Sequence, residues 1–307
     1  MEMKIIRGGM QTTVQDLGRP GHRAAGVPLS GAMDPFALRV ANLLAGNPEN
    51  IAALEFALVG PEVEFSADTV VAVGGAEWEG VPSWKPLAVR AGERVRLGVC
   101  QRGCRGYLAV AGGIGVEPVL GSRSTFLRGG FGGHQGRALR DGDTLTVPAL
   151  TRQVSAHWRI DGRILPAYSA RPTVRAVRGA QAGEFGAALF TAEFKVLPQS
   201  DRMGLRLSGE KLVRTGTEDL VSSAVAPGTV QVPPDGQPIV LMADAQTIGG
   251  YPQAAHVISA DLPLMAQLRP GDTVKFAEVT LAEAQQLALA ADHTLALLCE
   301  GLAQKFR

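Results

Sequence analysis

The sequence predicts a mainly antiparallel β protein on three observations. Short β-branched and aliphatic runs recur along all 307 residues, 38 glycines and 19 prolines supply turns between them, and helical periodicity is confined to a few segments. In order, Val63–Phe65, Thr69–Val73, Val95–Val99 and Tyr107–Val110 read as strands bounded by glycine or charged turns. The rhythm returns at Val174–Val177, Phe194–Leu197, Thr229–Val232, Ile239–Met242 and Thr273–Phe276. Three segments, at 91–98, 141–148 and 270–277, place a small or acidic turn before alternating apolar residues, as in the closing strand of a small barrel. Helices are accessory. Asp34-Pro35 opens one, since Asp caps free amides and Pro is tolerated at the first helical position, and Gly46-Asn47-Pro48 stops it. A second is expected from Thr280 to about Ala291, and a third within Ser259 to Leu268.

At about 150 residues per domain the length suggests two domains. The strand rhythm lapses near residues 150–172, which places the division between 1–160 and 161–307. With 46% hydrophobic and 19% charged residues the chain can build a sizeable core, which argues against disorder. Thirty basic against twenty-nine acidic side chains give no global drive toward nucleic acid or an anionic membrane. The N-terminus lacks a basic head followed by an apolar core, and no run approaches about 18 apolar residues, so a cytoplasmic protein without a membrane span is expected. Cys100, Cys104 and Cys299 have poor zinc spacing and read as buried free thiols.

Several motifs are excluded. The chain holds no Gly-Lys dipeptide and hence no phosphate loop of the GxxxxGK type, and neither Gly113-Ile114-Gly115 nor Gly130-Phe131-Gly132 completes a dinucleotide fingerprint. The five histidines are scattered without helical ligand spacing, so no metal site is expected, and no GxSxG elbow or biotin-carrier hairpin is present.

Four stretches carry more polar and special-backbone residues than packing requires. Residues 12–34 interleave Gln15, Asp16, Arg19, His22, Ser30 and Asp34 with glycines and prolines, either to fold over a ligand or as a surface connection in which Asp34 is only a cap. Residues 111–139 hold Arg123, Ser124, Thr125, Arg128, His134 and Arg137; the arginines suit carboxylate or phosphate, or pair with scaffold carboxylates. In residues 200–207, Asp201-Arg202 is a structural pair or a substrate anchor. Residues 228–262 gather Gln231, Asp235, Asp244, Gln246, Thr247 and Tyr251 around Gly249-Gly250, a density that suits a small polar substrate or a purely structural turn cluster.

Taken in order, TVQDLGRPGHRAAGVPLSGAMD, LAVAGGI…VLGSRST, SDRMGLRL and GTVQVPPDGQPIVLMADAQTIGGYP resemble the family of the 5-oxoprolinase C subunit, also described as allophanate hydrolase subunit 2-like or biotin-dependent carboxyltransferase-like proteins. The resemblance covers nearly the whole chain and implies two cyclophilin-like β-barrel domains with a few accessory helices. It implies a subunit that opens 5-oxo-L-proline to L-glutamate with ATP, together with subunits A and B of the enzyme, in a chain that carries no biotin of its own. The alternatives are a carboxyltransferase component of a urea/allophanate-type biotin-dependent system, and a non-catalytic partner of the B subunit that antagonises a kinase inhibitor. Under this reading Asp244, Gln246 and Tyr251 are catalytic candidates. Arg19, His22, Ser30, Asp34, Arg123, Ser124, Thr125, Arg202, Gln231, Thr247, Gly249 and Gly250 are candidates for binding a lactam or urea-like substrate and phosphate; Arg19, His22, Ser30 and Asp34 with Asp244, Gln246, Thr247 and Tyr251 are expected to line one pocket completed by the B subunit, and Arg123, Ser124 and Arg202 to hold anionic groups. Many relatives carry arginine where this chain has Ala245; the change alters the ligand, or faces solvent and is silent.

Overall fold

The computed structural model describes residues 1–149 and 160–305. Part of the stretch expected to hold the domain boundary, and His157, lie outside the described residues. The chain forms two compact units, Met1–Arg19 with Ser30–Pro166 and Thr294–Arg307, and Pro20–Leu29 with Ala167–His293. Against the expected division at 160/161, the main segment of the first unit runs to Pro166 and a ten-residue segment beginning at Pro20 is counted with the second.

The first unit contains β1 (Glu2–Arg7), β2 (Thr12–Gln15), α1 (Pro35–Leu44), β3 (Ala53–Ala57), β4 (Glu62–Phe65), β5 (Thr69–Trp78), β6 (Pro86–Val89), β7 (Arg94–Arg96), β8 (Cys100–Val110) and β9 (Thr144–Thr146). They form two antiparallel sheets, ordered β7-β4-β1-β9 and β2-β3-β8-β5-β6. In the smaller sheet alternate residues point inward, Met3 and Ile5 on β1 and Val63 and Phe65 on β4, as the period of two requires. The larger sheet is covered on both faces, so β2 and β3 are nearly continuously buried. One face shares a core with the smaller sheet through Leu54, Phe56, Val73 and Leu108; the other meets α1 through Ala53, Ala72, Tyr107 and Ala109. Gly74 on β5 permits that close approach, since a Cβ there would lie 2.5 Å from the Ala37 carbonyl oxygen. The strands of this unit pair in two separate sheets and not in one closed ring, so the barrel that the resemblance implies here is not closed by hydrogen bonds among the described residues.

The second unit contains β10 (Thr173–Arg178), α2 (Ala188–Thr191), β11 (Glu193–Val196), β12 (Gly204–Ser208), β13 (Ser223–Ala224), β14 (Thr229–Gln231), β15 (Ile239–Leu241), β16 (Ile248–Gly249), β17 (Gln253–Val257), α3 (Leu262–Ala266) and β18 (Thr273–Glu278). Seven of these strands close a barrel in the order β10-β17-β14-β15-β12-β11-β18. A ring of seven cannot be antiparallel throughout, and the single parallel pair is β10 with β18, the first strand against the last. Val174, Ala176, Phe194, Val196, Leu205, Leu207, Val274 and Phe276 alternate inward and fill the interior. The mainly β fold class with few helices matches the expectation from the sequence, and of the two barrels expected one closes, in this unit.

The helices largely follow their sequence signals. Asp34 caps α1 by accepting from the Ala37 amide at 2.9 Å. The expected third helix is a 3-10 turn at Ser259–Asp261 followed by α3. The last helix is a correction: α4 (Leu281–Lys305) starts where expected, with Thr280 and Glu283 forming a reciprocal capping box, but runs well past Ala291. Burial of Leu295 and Leu302 carries it through Asp292-His293-Thr294. Cys100 and Cys104 are buried free thiols as expected, whereas Cys299 is only half-buried.

Candidate functional site

In the first unit, β2 and the segment after it meet residues 116–136 in a buried polar knot centred on Asp16. Its Oδ1 accepts from Ser122 Oγ at 2.6 Å, from Ser124 Oγ and from the Gly18 amide at 2.8 Å, and its Oδ2 accepts from the Arg123 amide at 2.6 Å. The Asp16 amide in turn donates to Ser124 Oγ at 3.0 Å. Arg19 has 0% exposure, donates to the Ser124 carbonyl, and lies 5.0 Å over the ring of Phe131. Thr125 donates through its hydroxyl to the Val14 carbonyl at 3.0 Å, and Gln15 Nε2 bonds Thr13 Oγ1 and the Thr125 carbonyl. The Arg123 side chain donates to the Val116 carbonyl at 2.8 Å.

Glycine makes this knot tight. Gly132 sits at φ +71°, and a Cβ there would fall 2.1 Å from the Ser124 carbonyl oxygen. Ser30 is buried, adopts φ 54°, and its hydroxyl has no hydrogen-bond partner among the described residues. Beyond its capping bond, the Asp34 amide donates to the Tyr107 hydroxyl at 2.8 Å, and that hydroxyl donates to Glu55 at 2.7 Å. Burial, then the nearby charges of Glu55 and Asp34, push the Tyr107 phenol well above its ordinary range, so it stays a neutral donor. Of the expected residues, Arg19, Ser30, Asp34, Arg123, Ser124 and Thr125 therefore lie in the first unit.

The remaining expected residues lie in the second unit. Asp244 and Arg202 form a buried bidentate pair, 2.9 Å from Nε to Oδ2 and 3.1 Å from Nη2 to Oδ1. Both carboxylate oxygens are thus engaged by one guanidinium, and the partner of Arg202 is Asp244 and not the expected Asp201, whose Oδ1 accepts from the Met203 amide at 2.8 Å. Gln246 donates to Gln231 Oε1 at 3.4 Å, and Gln231 donates to the Tyr251 carbonyl at 3.5 Å, so the two amides are loosely held. Gly249 is required beside them, since a Cβ would lie 2.6 Å from Gln231 Nε2. Thr247 is buried and accepts from the Val225 amide through its carbonyl, while His22 is half-buried before a 3-10 turn whose Arg23 donates to the Val225 carbonyl. Gly250 and Tyr251 line a cavity of about 580 Å³ with Phe185, Lys211, Leu212 and Asp219 among its other walls. Ala245 is buried with Val225 and Leu241, which corrects the solvent-facing alternative for that position.

Sequence reasoning left Asp16 and Ser122 outside the candidate set, although both stand inside the motifs that drew attention. It missed Lys211 and Asp219 because their segment, with charges of both signs, reads as a solvated loop. Among the described residues no group of three or more His, Cys, Asp or Glu side chains is placed to hold a metal ion.

The model of the family described as carboxyltransferase domain, subdomain A and B, matches residues 25–278, and the chain belongs to that family. Within it the chain is similar to the C subunit of 5-oxoprolinase from Escherichia coli (strain K12), 44% identical over 296 residues that take in 92% of this chain and 93% of the other. Urea amidolyase of Saccharomyces cerevisiae is 31% identical over 93% of this chain but only 17% of its own. The crystal structure of Kluyveromyces lactis urea amidolyase superposes with a TM-score of 0.91 at 30% identity, over 97% of this chain and 20% of that one. The chain therefore spans about a fifth of the length of that multidomain structure.

Several of the residues expected to hold phosphate are engaged within the chain. Ser124 Oγ is bonded to Asp16, the Arg123 Nε to a carbonyl, Arg202 to Asp244, and Asp34 already accepts from the first turn of α1.

Proposed function

We propose that this chain is the C subunit of an ATP-dependent 5-oxoprolinase, acting in the cytoplasm with subunits A and B to open 5-oxo-L-proline to L-glutamate. One observation carries the reading: the similarity to the E. coli 5-oxoprolinase subunit, at 44% identity, runs over 92% of this chain and 93% of the other. The cytoplasmic placement accords with the lack, among the described residues, of any helix long and apolar enough to cross a membrane.

The chemical problem is an unstrained lactam whose amide resonance resists water, and ATP supplies activation of the lactam oxygen. With Arg19 and Arg123 bonded to backbone carbonyls, Arg202 to Asp244 and the Ser122 and Ser124 hydroxyls to Asp16, this chain suits the holding of the small substrate, and the nucleotide is assigned to a companion subunit. Positioning of this kind contributes through geometry: the gain comes from orientation achieved before reaction. The decisive assay combines purified subunits A, B and C with 5-oxo-L-proline and ATP and follows glutamate and ADP. Turnover should require this chain; unchanged turnover without it removes the function.

A second reading rests on the TM-score of 0.91 to urea amidolyase, which supports carboxyl transfer from biotin to a urea-like acceptor. Biotin-dependent carboxylation of urea on adding a biotinylated carrier and biotin carboxylase, with no glutamate formed from 5-oxo-L-proline, would favour it.

A further inference from the structure

The cavity in the second unit contains polar groups that the rest of that unit does not use. Its volume of about 580 Å³ falls among ordinary small-molecule sites, which run from about 300 to 1,000 Å³. Phe185, Leu212, Val232 and Pro252 give it apolar walls, and the Val232 amide donating to the Pro252 carbonyl at 3.0 Å fixes two of them together. Two cations reach it, and they differ. Arg214 is bound to Glu184 and donates to the Glu218 carbonyl, so its charge is compensated. Lys211 has no carboxylate within ion-pair distance among the described residues, and Asp219, also on the lining, accepts no hydrogen bond from them. The Lys211 stem rests against Gly236, where a Cβ would fall 2.6 Å from Lys211 Cγ, and the Leu212 amide is pinned to the Gly236 carbonyl at 3.0 Å. The half-exposed Tyr251 adds a hydroxyl.

We infer that this cavity binds a small cyclic amide bearing a carboxylate, with Lys211 as the carboxylate-binding residue. The ligand's methylenes lie on the apolar walls, its ring N–H donates to Asp219, and Tyr251 donates to the lactam carbonyl. In the net hydrolysis, water's oxygen bonds to the lactam carbon as the C–N bond breaks and its two protons pass to the nitrogen, giving a carboxylate and an ammonium that the same Asp219 would accommodate. The assignment rests on the proposed 5-oxoprolinase function and adds to it the residues that recognise the substrate. It draws on a cation and an anion that line one hollow and pair with no group among the described residues: the ligand's carboxylate gives Lys211 a charge-assisted bond, and its neutral ring N–H gives Asp219 a donor.

The experiment is calorimetric titration of the whole chain, alone and mixed with subunits A and B, with 5-oxo-L-proline and with 2-pyrrolidinone, which lacks the carboxylate. Saturable binding of 5-oxo-L-proline is expected, weakened more than tenfold in Lys211→Met and less than threefold in Lys211→Arg, with 2-pyrrolidinone unaffected by either. Lys211 is exposed, so both variants should keep the wild-type circular dichroism and melting temperature. Binding that is absent in the wild type, or equal in Lys211→Met, overturns the cavity. Turnover is read separately. Turnover with an unaltered KM in Lys211→Met overturns the cavity and leaves the function standing, whereas Lys211-dependent binding without turnover overturns the function and leaves the cavity.

Discussion

The polar residues around Asp16 and those around Tyr251 have similar composition and opposite circumstances. Around Asp16, four donors converge on one carboxylate and a buried guanidinium is stacked on an aromatic ring, so most of the groups engage one another, while Gln15 Oε1 and Ser30 Oγ are buried without a hydrogen-bond partner among the described residues. Around Tyr251, the amides of Gln231 and Gln246 meet at 3.4 Å and Lys211 faces a hollow. A satisfied network specifies a conformation, and groups left facing a cavity are available to a ligand. Polar density alone does not separate these two uses; the partners of each atom do.

Five substitutions test that contrast. Arg202→Met should have the largest effect, a loss of about 3–5 kcal/mol, because Asp244 would be left buried without its counter-charge. Urea denaturation would measure it, and adding Asp244→Leu should restore most of the loss. An undiminished midpoint in the single variant would mean that the pair does not hold the second unit together. Gly132→Ala should cost about 2–4 kcal/mol, since the new methyl meets the Ser124 carbonyl and the backbone is left-handed there. Asp16→Asn turns an acceptor into a donor among donors and should cost about 2 kcal/mol, with thermal melting as the readout.

The fourth concerns acid stability. Arg137 bonds both oxygens of Asp143 at 2.7 and 2.9 Å and, with the Arg140 amide and His134 nearby, holds that carboxyl well below its ordinary value of 3.8. A depressed folded-state pKa contributes stability above the ordinary value that is lost as pH falls below it. Arg137→Met should therefore flatten the fall in stability below about pH 4, seen as a smaller difference between melting temperatures at pH 5 and pH 3 than in the wild type. Tyr251→Phe should be the mildest, with stability within about 0.5 kcal/mol of wild type and a several-fold rise in KM for 5-oxo-L-proline. A Tyr251→Phe protein that melts early would move that residue from the open set to the structural one.

Much of the fold is legible in the sequence because alternation has a direct physical meaning: Val174, Ala176, Phe194, Val196, Val274 and Phe276 are inward because every second residue must be. Asp34-Pro35 gives the start of α1 for an equally local reason. The continuation of α4 is not local, since Leu295 and Leu302 find their burial only in the folded chain. The site was legible in part. The motifs mark where polar atoms collect, but that Asp244 is paired with Arg202, and that Lys211 in an ordinary charged loop has no ion-pair partner among the described residues, depends on contacts between residues distant in sequence. Asp16 illustrates the same point, because its four donors come from positions 18, 122, 123 and 124.

The odd strand count of the barrel bears on how the second unit comes into being. Its seam joins residues a hundred positions apart, Thr173 beside Lys275 and Val174 beside Phe276. Such a late, long-range step gives a nascent polypeptide little benefit from halting halfway, since without its final strand both β10 and β11 would expose bare edges able to recruit other molecules. Assembly of that unit should accordingly be all-or-none, and shortened products ending before residue 273 should be found in aggregates.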